Sequence, residues 1–87
     1  MVATLLALRG EEETTYRWLW SAAELGLGDI VDQDMAYFLT IIFHVAHGSG
    51  WINPLRVAGK LARSQLDRLG RRDESGEIAN LMRQVLG

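Results

Sequence analysis

His44 and His47 stand three residues apart in FHVAHGSGWINP, residues 43–54, and on a helix that spacing puts two imidazoles one turn apart. Two such rings can chelate a metal ion, but a site needs a third ligand and usually a fourth. The chain holds no other histidine and no cysteine, so carboxylates such as Glu24 or Asp32 would have to complete the set. In the competing reading His44 is hydrogen-bonded within a polar seam, and His47 decorates a helix C-terminus, where partial positive charge is favourable. The expectation is no resident metal or cofactor, with His44 and His47 as the residues to watch.

The same stretch fails as a calcium loop, because positions that should carry Asp or Asn hold Val45, His47 and Ser49. It also fails as a phosphate cradle, since G-S-G lacks the lysine and the preceding strand that such loops use. A connector whose glycines supply positive φ explains it better, with Trp51 and Ile52 folding inward to seal the end of a bundle.

Hydrolytic chemistry finds no framework either. Ser21, Ser49, Ser64 and Ser75 are nucleophiles in type only, for nothing in the spacing sets a histidine beside them. Glu24, Asp29 and Asp32 are explained as helix caps and surface residues rather than as paired carboxylates. The chain therefore reads as non-enzymatic.

Charge is the more informative signal. Net charge is −2, yet residues 1–55 carry two arginines against seven acids, and residues 56–87 carry seven basic residues against four. Glu11, Glu12 and Glu13 open a helix, where its dipole favours acids, and are candidates for a partner surface together with Trp20. An acidic half followed by a basic half suits self-association, so a homodimer is expected, in a small binding, adaptor or assembly protein that works through protein contacts.

The alternative is nucleic acid. Arg56, Lys60 and Arg63 line up along one helix opposite its apolar face, Arg71 continues the row, and Asn53 stands at the helix start within reach of bases. Against it, the connector before this helix holds two glycines, the whole chain is acidic, and Ser, Thr and Gln are sparse along the stripe.

The elements that must position these residues are helical throughout. With 87 residues, 48% of them hydrophobic and 23% charged, the chain is one globular domain with a modest core. The expected fold is an all-α bundle of four helices, with a short fifth over the N-terminal stretch. The first runs from about Glu11 to Leu25 and stops at Gly26 and Gly28, with Trp20 as its exposed aromatic. The second starts near Asp29 or Asp32 and runs to about His47. Met35, Phe38, Leu39, Ile41, Ile42, Val45 and Ala46 cover most of its surface, so it is expected at the centre. Its polar line is Tyr37, Thr40, His44 and His47.

Asn53-Pro54 predicts the start of the third helix, with Asn53 as N-cap. Leu55, Ala58, Ala62, Leu66 and Leu69 form its apolar face, and Gly59 invites close approach by the Phe38/Ile42 side of the second helix. The fourth, from about Glu74 to Leu86, shows Ile78, Leu81, Met82 and Val85 at helical spacing behind an Asp73 cap. The most apolar run, residues 35–46, is far shorter than the ~20 residues a membrane span needs. Lack of cysteine fits a reducing compartment, and the cytoplasm is the expected location.

Overall fold

The computed structural model describes residues 2–26 and 31–87. Among the described residues the chain forms five α-helices and no strand: α1 (Val2–Leu8), α2 (Glu12–Glu24), α3 (Gln33–Ser49), α4 (Ile52–Arg68) and α5 (Arg72–Leu86). This is the all-α bundle that the periodicity predicts, and the N-terminal stretch is its short fifth helix. No described helix is long and apolar enough to cross a membrane.

The caps explain where the helices begin and end. Asp32 precedes α3 in an extended conformation, and its side chain accepts from the backbone N–H of Asp34 at 2.9 Å and of Met35 at 3.3 Å. Of the two expected starts, Asp29 lies outside the described residues, as does Gly28. At the far end, Gly50 takes φ +73°, which lets its N–H reach His47 O at 3.4 Å and the Trp51 N–H reach Ala46 O at 2.9 Å. Two carbonyls of the last turn of α3 are satisfied by this pair of bonds.

The same turn shifts the start of α4. Trp51, held by its bond to Ala46, already has its carbonyl accepting from Leu55 N–H at 2.9 Å, so α4 opens at Ile52 rather than at Pro54. Asn53 is therefore not the N-cap; it is an exposed residue of the first turn, and Pro54 occupies a position whose missing N–H would have no helical partner anyway. Gly70 repeats the pattern, with Arg71 N–H bonded to Leu66 O at 2.8 Å, so α5 starts at Arg72. Asp73 is displaced from the expected cap into the first turn with Glu74, where both carboxylates still favour the helix dipole.

The core is built from Leu19, Leu39, Ile42, Phe43, Leu55, Leu66 and Ile78 with a set of small residues: Ala3, Ala7, Ala36, Ala46, Ala58 and Ala62. Its largest fully buried side chain is Phe43, which the periodicity of α3 passed over. Phe38 and Ile41, expected inside, are only partly covered.

The central helix is α4, not α3. It packs against α2, α3 and α5, whereas α3 packs against α4 and α1. The reason is size. Ala58, Gly59 and Ala62 keep the α4 surface low, so neighbours can approach from several sides. At Gly59 the approach is closest: a Cβ there would stand 2.5 Å from Met82 Sδ and 3.0 Å from Phe43 Cε1. The close neighbours are thus α5 and Phe43, not the expected Phe38/Ile42 side of α3. Trp51 packs partly against the core as expected, but Ile52 stays exposed.

Candidate functional site

Burying α4 on three sides leaves one strip of it open. Asn53, Arg56, Lys60, Arg63 and Asp67 recur at helical spacing on that strip, and all are exposed. Helix α2 rises along one side of it and α5 along the other, so the strip lies between two concavities.

The larger concavity lies between α2 and α4 and encloses about 510 Å³. Trp20, Ala23 and Glu24 of α2, with Gly26 just beyond its end, form one wall; Arg56, Val57, Lys60, Leu61 and Ser64 form the α4 wall. Ala23, Val57 and Leu61 give an apolar lining, and Trp20, 53% exposed, stands at the rim. Trp20 is braced by Tyr16 one turn earlier, with ring centroids 6.3 Å apart at 34°. Arg56 and Lys60 make no ion pair or hydrogen bond among the described residues. The smaller concavity, about 360 Å³, is lined by Arg56, Lys60, Arg63, Ser64, Asp67 and Met82.

The residue sets that the sequence offers for two different partners therefore meet in one place. Trp20 belongs to the expected protein surface, and Arg56 and Lys60 to the basic stripe. Glu11, Glu12 and Glu13 are exposed but sit at the opposite end of α2, outside the groove, and Glu13 pairs with Arg17 at 2.7 Å. Arg71 does not extend the free stripe: its Nε and Nη2 donate to Glu74 Oε1 at 2.9 and 2.7 Å. Arg63 Nε reaches Ser75 Oγ at 3.4 Å, which turns it towards α5.

The histidine pair lies elsewhere. His44 is exposed, and His47 is half-buried with its ring stacked near Phe43 at 6.4 Å. Thr40 Oγ1 donates to Ala36 O at 2.7 Å, within its own helix, and Tyr37 is exposed, so no described helix closes over this seam. Among the described residues no three His, Asp or Glu side chains gather where they could hold a metal ion. Glu24 lines the groove and Asp32 caps α3, so neither stands as a third ligand.

One structural polar residue was not among those the sequence singled out. Gln65 is fully buried, and its Oε1 accepts from the Asp32 backbone N–H at 3.0 Å, tying the middle of the bundle to the start of α3. The available signal was its position inside the apolar arc of α4, between Leu61 and Ala58. Comparison with protein-family models, with curated proteins and with solved structures finds no match to this chain.

Proposed function

We propose that the chain is a small non-enzymatic binding protein that works through protein–protein contacts, with the α2/α4 groove as its contact site. The observation that carries this reading is Trp20, half-exposed over an apolar lining, next to two cations that outnumber the single carboxylate of Glu24 and make no ion pair among the described residues. Aromatic and arginine anchors around an apolar centre are the residues that dominate protein interfaces. The chemistry that fits is a segment with an apolar side chain for the lining and carboxylates for Arg56 and Lys60. Self-association through the same groove is one form of this reading.

Nucleic acid remains the second reading because Arg56, Lys60 and Arg63 are exposed together on one helix. The shape of the surface favours protein. A recognition helix has to project into a groove of the duplex, whereas α4 is flanked by α2 and α5. Arg71 is also held by Glu74.

A direct test titrates the protein, observed through its backbone amide resonances, with an acidic amphipathic helical peptide and separately with a short DNA duplex. The expected result is shifts confined to the groove residues with the peptide, lost in Trp20→Ala and in Arg56→Ala/Lys60→Ala. Duplex binding whose affinity falls steeply with salt, with no response to the peptide, would replace the protein reading by the nucleic-acid one.

A further inference from the structure

We infer that the occupant of the α2/α4 groove is a second copy of this chain, related by a two-fold axis that sets the two α2 helices antiparallel. The inference rests on the reading of the groove as a protein-binding site and names its partner.

Helix α2 carries the complement of the groove on its own outer face. At helical spacing Glu12, Glu13, Tyr16, Trp20 and Glu24 share an arc of about 120°. Of these only Tyr16 is half-buried; the others are exposed. Glu12 makes no ion pair or hydrogen bond among the described residues, and the same holds for Arg56 and Lys60 at the groove. The face is thus acidic at the start of α2, and where α2 meets α4 the two cations outnumber the one acid, Glu24, that lines the groove with them.

A face with that polarity is self-complementary in one orientation. Side by side in parallel, two copies would set glutamates against glutamates and cations against cations. Antiparallel, with the axis beside Tyr16 and Arg17, Glu13 of one copy comes level with Trp20 of the other. The two residues are about 10 Å apart along the helix, so each acidic turn overlies the other molecule's Arg56 and Lys60. The Tyr16 rings of both copies then meet at the axis, and each Trp20, about 5 Å further along its helix, packs beside the other copy's acidic turn, with the charge pairs outside the rings. Such an apolar aromatic centre with a polar edge is the ordinary anatomy of an interface, and a two-fold relation uses the same patch on both molecules.

Charge exchange tests the arrangement. The wild-type chain is expected to sediment as a dimer whose dissociation constant rises with salt. Glu12→Lys/Glu13→Lys and Arg56→Glu/Lys60→Glu each place like charges in contact and should weaken the dimer by about a hundredfold. An equimolar mixture of the two variants restores both contacts and should recover a heterodimer. All four positions are exposed, and the Arg17 pair that Glu13→Lys gives up is itself solvent-exposed, so each variant is expected to keep its fold, with circular dichroism as the check. A wild-type monomer at high micromolar concentration, assemblies larger than two, or variants that do not rescue each other would overturn the inference. A monomer that still shows groove shifts with the acidic peptide sinks only the second copy as partner; a monomer without them sinks the binding site as well.

Discussion

Replacing Gly59 with alanine adds one methyl group where α4 meets both α3 and α5, and two opposing effects decide the sign. Glycine inside a helix is worse than alanine by about 1 kcal/mol, so on an open surface the substitution would stabilise. At Gly59 the new Cβ would lie 2.5 Å from Met82 Sδ, 3.1 Å from Met82 Cε and 3.0 Å from Phe43 Cε1. Met82 is partly exposed and unbranched, so it can swing aside at the expense of its packing on the core. Phe43 is fully buried and has to shift by a few tenths of an ångström within a packed interior. Overpacking of this kind costs about 1–3 kcal/mol, which exceeds the propensity gain. The expected net result is destabilisation by about 1 kcal/mol, or a fall in Tm of about 4–8 °C for a chain of this size. Urea denaturation read by circular dichroism measures it. A double-mutant cycle with Met82→Ala isolates the cause: removing the thioether should relieve most of the clash, giving a coupling of about 1–2 kcal/mol. A Gly59→Ala variant that gains the full propensity benefit, with no coupling to residue 82, would refute the close approach of α5 to α4.

Other outcomes follow from the caps and from the buried amide. Asp32→Ala should cost about 1 kcal/mol in urea titration, because the N–H groups of Asp34 and Met35 lose their acceptor, while Asp32→Asn should retain most of the stability. Gln65→Leu should cost about 1–3 kcal/mol and speed hydrogen exchange at the Asp32 amide, whose partner it removes. Because both substitutions act on the start of α3, their effects should not add. Gly50→Ala forces a side chain into a left-handed backbone and should lower stability by about 1–2 kcal/mol, with Gly50→Asn milder. For the histidine pair, adding a chelator to dialysed protein should leave both helicity and Tm unchanged; a fall in either would restore a metal site at His44 and His47.

The helices were legible in the sequence because amphipathic spacing and punctuation are local. Asp32, Gly50 and Gly70 act within a few residues of themselves, and the exposure of Trp20 follows from its place beside the polar residues Arg17, Ser21 and Glu24 on α2. The starts of α4 and α5 were misplaced for a similarly local reason. A glycine turn hands the chain to the next helix after a single residue, so Trp51 and Arg71 take the flanking positions that Asn53 and Asp73 appeared to claim. Phe43 was missed because an almost wholly apolar helix gives no contrast from which to read its buried face.

Composition, periodicity and charge order by themselves determined that this chain forms an all-α bundle, that its acidic residues precede its basic ones, and that Trp20 and Arg56 both face outward. Which helix lies at the centre was decided only by packing, because the small side chains of Ala58, Gly59 and Ala62 matter through what they allow other helices to do. The same packing brought Trp20 beside Arg56 and Lys60, residues 36 and 40 positions further along the chain. A groove between two helices is a property of their separation and crossing, and no spacing within either helix encodes it.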